Sequence, residues 1–510
     1  MKTQRLTVRC IPFSREALQS EICRASFAEE GCLPCEQVLY LGSYLSHKES
    51  GAKTIIIESP YVDRHYLEEY SQYYATTLRP PPPKATRLHF FKSTITNRQF
   101  SYLLKKAANG GFEGACHKLN ETYLGFSVIR PLPDAPIGRT VLATFNNDNL
   151  NRCYTLPPHP YRVHLCGLNL KVCGVPFQQQ EQAVGACATT AVWSALAQVM
   201  RHDGGRAPTP FAVTEAATKH WVKDRVFPAT SGLIDEQILE AIRQFGYSPH
   251  FFECKKKEGQ DALFMMAVKC YLCSGIPVIL KIHSPGDADA HAVTVVGFRE
   301  DDEELVPDIA HKEKNWETLC LRAKGMFRLY VHDDRLGAYA RAEWQVEADK
   351  YIQFNFKPHE AGFEKYKEKT DVMAAIIPVY PKIRLSAQDL IGYAGQLLPL
   401  FKGLVGPVNQ NNLYIDLRFA QTGECLEQLF CSGLPADRLS RFARQAALSR
   451  YVGMITFSID DKPIAIILCD STDIRRTAPA PAPLLAMLLY PPYDQHTDVL
   501  KNNLSGALIF

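Results

Sequence analysis

Three residues far apart in the chain have the types and settings needed for nucleophilic acyl transfer: Cys187, His291 and Asp333. Cys187 follows a polar stretch, Gln178-Gln179-Gln180-Glu181-Gln182, and a Gly185-Ala186 break. From the cysteine onward the pattern is helical, with small residues on one side and Val192, Leu196 and Val199 on the other. A thiol at a helix start meets unpaired N–H groups and the positive end of the helix dipole, and both favour the reactive thiolate. His291 opens the apolar strand His291–Phe298 after a polar loop, Gly286 to Ala290, which delivers it to the mouth of a buried strand as a general base. A second apolar strand, Leu329 to Val331, runs into His332, Asp333 and Asp334. Asp333 is the expected partner that orients the imidazole. Asp334 is the alternative, or a cap for the turn Arg335-Leu336-Gly337. His332 should point to the opposite side of the strand from Asp333. Cysteine, histidine and carboxylate form a nucleophile, a base and an orienting group.

Other residues have plainer readings. Among sixteen cysteines and fifteen histidines, chance placement is easy, and a free cysteine is most often a small buried hydrophobe. The helix start, the glutamines and the order of the following histidine and acid set Cys187 apart. Cys32-Leu33-Pro34-Cys35 and Cys270-Tyr271-Leu272-Cys273 have the spacing of metal or redox pairs. A zinc site needs four ligands, and these pairs lie far apart in the chain. The second pair lies in an apolar helical run and reads as core. No metal and no cofactor are expected.

Together these residues resemble the papain-like cysteine peptidases, and among them the bacterial group similar to the bacteriocin-processing (double-glycine) peptidases. The resemblance covers Val175 to about Arg341. It implies a papain-like α+β core with Cys187, His291 and Asp333 as the catalytic set. It also implies an upstream glutamine side chain as an oxyanion donor beside the Cys187 backbone N–H. Gln180 is preferred, because Gln182 leaves a short connection to the cysteine; Gln179 is a further alternative. Ala188 stands where the family has glycine, Asp334 where it often has proline, and a charged insertion separates the two strands from Arg299 to about Lys324. The resemblance implies a cysteine hydrolase, a selective peptidase working through a Cys187 acyl-enzyme on a protein or peptide substrate. Transglutaminase-like or deamidase chemistry with the same triad, and a non-catalytic scaffold with an idle triad, are the rival readings.

Composition narrows the class. With 46% hydrophobic and 22% charged residues, the 510-residue chain can fold throughout and is long enough for three domains. A formal net charge of only +3 argues against a nucleic-acid binder driven by bulk charge. Lys255-Lys256-Lys257, with Glu253 just before it and Glu258 just after, reads as a solvated turn. Residues 1–10 hold no continuous apolar run, and the run Leu484–Tyr490 is too short to span a bilayer. Dilute, irregularly spaced cysteines suggest reduced thiols. A cytoplasmic protein without membrane partners is expected.

These residues need elements to hold them. Three domains are expected: a mixed α/β domain over 1–165, the papain-like catalytic domain over 166–350, and a second α/β domain over 351–510. Strands are expected at 52–58, 123–131 and 140–145 in the first domain, with a helix at 63–75 and a stiff Pro-rich break at 79–84. In the second, helices at 214–222, 235–245 and 262–273 precede strands at 276–282 and 291–298, the helices-first order of an α+β core. In the third, strands at 374–379 and 413–418, a helix at 438–449 and a hairpin turning at 460–462 carry no nameable chemistry. The flanking domains are expected to bind the substrate protein or a regulatory protein partner.

Overall fold

The computed structural model describes residues 5–29, 35–145, 152–181, 186–222, 232–255, 260–284, 290–300, 308–310, 319–321, 326–346, 351–357, 363, 369–409, 413–460, 462–472, 484–498, 500 and 508–509. Cys32, Gln182, Lys256 and Lys257, the loop 286–289 and the Pro-rich stretch 477–483 lie outside them.

The N-terminal third is built on one antiparallel sheet in chain order. β1 (Thr7–Pro12) is followed by α1 (Arg15–Ser26) and α2 (Glu36–Ser46), β2 (Thr54–Tyr61) by α3 (Arg64–Gln72), and β3 (Ala85–Phe91) by α4 (Asn97–Lys106) and α5 (Phe112–Asn120). β4 (Tyr123–Ile129) and β5 (Ile137–Leu142) complete it. Successive side chains of a strand face opposite sides. Ile55, Ile57, Leu88 and Phe90 therefore pack with Leu18, Ile22 and Leu45, while Ile56, Phe91, Val128 and Val141 pack with Phe100, Leu103 and Leu119. Both faces being covered explains why Ile55-Ile56-Ile57 is apolar without alternation. Pro80 to Pro83 lie between α3 and β3 in no regular element.

After a short strand, β6 (Arg152–Tyr154), comes the hairpin β7 (Tyr161–Leu165) and β8 (Leu168–Val172). Its apolar face, Val163, Leu165, Leu168 and Leu170, joins the N-terminal core. The expected boundary at 165 thus cuts a hairpin that belongs to the N-terminal third.

The middle of the chain starts with α6 (Cys187–His202), α7 (Pro210–Thr218), α8 (Asp235–Gln244), β9 (Ser248–Glu253) and α9 (Gln260–Cys273). The strands β10 (Val278–His283), β11 (His291–Glu300), β12 (Asp308–Ala310), β13 (Leu319–Leu321), β14 (Met326–Asp333), β15 (Gly337–Gln345), β16 (Gln353–Phe356) and β17 (Thr370–Val379) follow. Six of them, β10-β11-β14-β15-β16-β17, pair antiparallel in that order, and β17 pairs back to β10, closing a ring. β9 adds to β17 and β6 to β11. The α+β class is as expected. The boundary expected at 350 is not observed: β16 and β17 close the ring, so the unit runs to Val379. α7 starts earlier than its apolar pattern suggests, because Thr209 caps the Ala212 N–H and Pro210 takes the first helical position.

The last third has α10 (Ala387–Asn409), β18 (Leu413–Gln421), α11 (Thr422–Phe430), α12 (Ala436–Gln445), β19 (Tyr451–Ile459), β20 (Lys462–Asp470), β21 (Leu484–Leu489) and β22 (Leu508–Ile509). Its sheet runs β12-β13-β18-β19-β20-β21-β22. The charged insertion between the histidine and aspartate strands therefore supplies two strands to this C-terminal sheet, β13 pairing parallel to β18. One continuous core joins the ring to this sheet, containing Tyr271, Leu280 and Val331 together with Phe401, Ile415 and Phe457. Among the described residues no helix is long and apolar enough to cross a membrane.

Candidate active site

α6 carries the cysteine and is wedged into the core. Ala188, Val192, Trp193 and Leu196 are all buried, and buried hydroxyls fix the helix along its length. Thr294 of β11 donates to the Ala191 carbonyl at 3.0 Å, and Thr189 pairs with Thr214 of α7 at 3.1 Å. Ser194 donates to the Pro176 carbonyl at 2.6 Å and meets His332 Nδ1 at 3.2 Å. Two of these contacts tie α6 to the strands of the histidine and the aspartate, which sets Cys187 against both. Ala186 occupies the N-cap in extended conformation and offers no side-chain cap. The first N–H groups of the helix receive no oxygen from it, so they remain suited to a negative charge at the helix start.

Antiparallel pairing of β11 with β14 brings the start of one beside the end of the other, with Thr294 opposite His332. His291 Nε2 then lies 3.2 Å from Asp333 Oδ1 and 3.4 Å from Asp334 Oδ1. The Cys187 thiol lines the same cleft as the ring and acts on it as well. The structure thus brings together Cys187, His291 and Asp333. Asp333 further accepts from the Arg335 N–H at 2.8 Å and pairs with its guanidinium at 3.3 Å. The turn cap expected of Asp334 is therefore made by Asp333, while Asp334 is a second carboxylate on the imidazole, its Oδ2 buried without a partner. His332 turns to the other side, as its strand position requires, and packs against Phe177 and Tyr339.

The electrostatics follow from burial and charge. Burial disfavours the imidazolium, but Asp333 and then Asp334 outweigh it and lift His291 to about 10. Burial likewise disfavours the Asp333 carboxylate, yet His291 and Arg335 hold it well below the usual range. Asp334 is raised to about 6, first by burial and then by the Asp333 charge beside it. Near neutral pH the centre holds an imidazolium against the Asp333 carboxylate. Burial lowers His332 to about 3, so it serves as a neutral hydrogen-bonding group.

The stretch before Cys187 is pinned to the N-terminal third. Phe177 and Thr140 exchange backbone hydrogen bonds of 2.8 Å, making it an edge of the N-terminal sheet. Gln178 donates to Glu69 at 3.0 Å, and Tyr74 donates to Glu181 at 2.5 Å. The Gln179 side chain accepts from the Ile137 N–H at 3.2 Å and donates to the Asp134 carbonyl at 3.3 Å. That engagement removes Gln179 as an oxyanion donor. Gln180 is half-buried between these fixed neighbours, and it is not among the described residues lining the cleft beside Cys187.

That cleft has a volume of about 350 Å³. Leu233, Ile238 and Ile376 give it an apolar wall, and Asp235, Glu236 and Lys281 a charged one, with Asp235 and Lys281 paired at 2.8 Å. It can seat a side chain of a peptide whose carbonyl faces the thiol. His291, Asp333 and Asp334 present three ligand-type atoms within 4.8 Å of one another. A cation bound there would have to displace the proton that His291 shares with the two carboxylates.

Cys270 is buried in the core of α9, in line with the reading of that motif, whereas Cys273 is half-buried at the helix end. Comparison of the chain with protein-family models and with curated proteins finds no match. Sequence reasoning missed Thr294, Ser194 and Arg335 as supports of the centre. A hydroxyl inside an otherwise apolar strand, His291-Ala292-Val293-Thr294-Val295, is the signal that could have found the first.

Proposed function

We propose that this protein is a papain-like cysteine hydrolase, a selective peptidase acting on protein or peptide substrates. The observation that carries this reading is the convergence of Cys187, His291 and Asp333 from a helix start and two strand ends, with Cys187 and His291 lining one cleft and Asp333 buried against the imidazole. In the reaction the Cys187 sulfur attacks the amide carbonyl and negative charge moves to its oxygen. N–H groups at the start of α6 stabilise that oxyanion. The His291 imidazolium gives its proton to the leaving amine, and an acyl-enzyme remains. Neutral His291 then takes a proton from water, whose oxygen attacks the thioester; the C–S bond breaks and the Cys187 thiolate leaves beside the restored imidazolium. Asp333 holds the ring so that one nitrogen faces the sulfur throughout. Gln180 would be the second oxyanion donor if substrate binding turned its amide toward the cleft.

The test is mass spectrometry of a host lysate incubated with the wild type or with Cys187→Ala. New peptide termini that require Cys187 are expected, with turnover falling on the order of a millionfold in the variant. Shifts of about one mass unit at Gln or Asn, without new termini, would replace peptidase by deamidase through the same acyl-enzyme. Identical lysates in both arms, together with no Cys187 labelling by a thiol-directed probe, would remove the enzymatic reading.

A further inference from the structure

A second thiol centre lies on the opposite side of the ring. β6 pairs with the far end of β11, Cys153 standing opposite Phe298, and it lies against α9. Between them and the C-terminal sheet opens a cleft of about 710 Å³. Cys153, Cys273 and Cys431 all line it, together with Lys269, Glu300 and Asp416. Cys153 lies 120 residues before Cys273 in the chain, yet both side chains line one cleft and each acts directly on the protonation of the other. Lys269, one helical turn before Cys273, is buried and paired with Glu300 and, at 3.1 Å, with Asp416. The neighbour suggested by sequence, Cys270, faces the core and takes no part.

We propose that Cys153 and Cys273 form a peroxide-reactive dithiol that closes reversibly to a disulfide. Two thiols lining one open cleft, on elements that pack against each other, meet the first requirement of such a site, which is access. The second is a division of labour between attacking and resolving sulfur, and the surroundings supply it. The neighbouring Cys273 favours the Cys153 thiolate over the opposing effect of burial, with Lys269 adding to it, while Cys153 and burial hold the proton on Cys273 against the Lys269 charge. In the first step the Cys153 thiolate attacks one oxygen of hydrogen peroxide. The O–O bond breaks, a sulfenic acid forms, and the departing hydroxide takes a proton to become water. In the second, the Cys273 sulfur attacks the sulfenic sulfur. The S–O bond breaks, the hydroxyl leaves with the Cys273 proton as a second water, and the S–S bond forms. The two thiols lose two electrons and the peroxide accepts both. A dithiol reductant reverses the step by exchange. The bond would fasten β6 to α9, and so the linker from the N-terminal third to the ring.

The test uses the full chain and one equivalent of hydrogen peroxide, followed by alkylation, non-reducing digestion and mass spectrometry. The expected product is a Cys153–Cys273 cross-linked peptide, about two mass units lighter than the sum of its thiol peptides, which dithiothreitol removes. Cys431→Ser should give the same cross-link. Cys153→Ser should give none and leave Cys273 fully alkylated. A Cys153–Cys431 bond overturns the assignment of the resolving thiol. Sulfinic acid at Cys153 with Cys273 still alkylated, or Cys153 remaining reduced while other cysteines oxidise, overturns the dithiol itself. Because the wild-type cross-link is read directly, a variant that fails to fold does not blunt the test.

Discussion

On one side of the ring, the stretch leading into Cys187 is held by buried polar groups of the N-terminal third. Arg130 is fully buried and donates to the carbonyls of Ala135 and Gln179, at 2.9 and 3.0 Å, while its other nitrogen lies 3.5 Å from Glu69. On the other side, α9 and α10 meet the C-terminal sheet chiefly through rings: Tyr271 of α9 stacks on Phe419 at 5.9 Å, and Phe401 of α10 stacks on Phe457 at 4.1 Å, with the Lys269–Asp416 pair as the polar contact beside them. The two seams differ in what they can specify. Apolar burial is large and tolerant of direction, so it supplies stability. A buried hydrogen bond adds little net stability but penalises every arrangement that leaves it unmade, so it fixes position. On this comparison, damage to the C-terminal seam should unfold the ring, and damage to the N-terminal seam should chiefly misplace the segment beside the thiol.

The largest expected effect is loss of folding when the C-terminal seam is removed. A chain running from Lys171 to Pro358 lacks β17, which pairs with β9, β10 and β16, and it lays bare the face of α9 that meets β18. It should be insoluble or melt without a cooperative transition by circular dichroism. A soluble, cooperatively folding fragment would show that the ring does not depend on the shared core. Within the full chain, Phe419→Ala removes the ring stacked on Tyr271 and should cost about 3–5 kcal/mol in urea unfolding. Alkylation of Cys187 in the folded protein should remain at its wild-type rate. A loss under about 1 kcal/mol would mean that this seam packs loosely.

The difference between the seams also marks what the sequence could disclose. The catalytic residues were legible because each sits where a period changes: the helix that begins at Cys187, the strand that begins at His291, the strand that ends at Asp333. The element pattern was legible wherever one face is apolar, as in the hairpin around Asp460, whose positive φ of 46° suits an aspartate turn. Partnership was not legible. Nothing local reveals that β12 and β13 join the C-terminal sheet, or that β17 closes the ring, because strand pairing is decided by distant segments. The clamp on Gln178 and Gln179 was hidden for a similar reason. A glutamine run reads as solvated until Glu69, Arg130 and Ile137, all distant in sequence, come to meet it.

Glu69 gives the N-terminal seam a pH signature. Burial first, and then the neighbouring Glu181 and Asp63 charges, raise its carboxyl to about 7, against the opposing Arg130 charge and Gln178 hydrogen bond. The folded chain therefore holds a proton here that the unfolded chain has already released above its ordinary 4.5. The sign follows from that excess: this residue's contribution is fully present below pH 4.5 and is lost as the pH rises through 7, a decline of about 3 kcal/mol. Glu69→Gln cannot titrate, so its urea midpoint should fall less steeply than that of the wild type between pH 4.5 and 7 and run parallel above. Parallel curves throughout would show that Glu69 is ionised in the folded chain and that the clamp is an ordinary ion pair.

The smallest expected change in stability makes the sharpest test of the clamp. Tyr74→Phe removes one hydroxyl, the donor to Glu181, and leaves the ring packed against Tyr66 and Tyr73. The cost should be about 2 kcal/mol, the worth of a hydrogen bond to a charged group, and far too little to unfold the chain. If the N-terminal seam positions the segment around Gln180, turnover should still fall, on the order of tenfold, with little change in KM, as for loss of alignment at an oxyanion site. Alkylation of Cys187 by iodoacetamide should not change, because the thiol and its imidazole are held by α6, β11 and β14. Equal slowing of alkylation and turnover would place the defect in the triad instead. Unchanged turnover would reduce the N-terminal seam to the same structural role as its C-terminal counterpart, and the contrast between the two would fail.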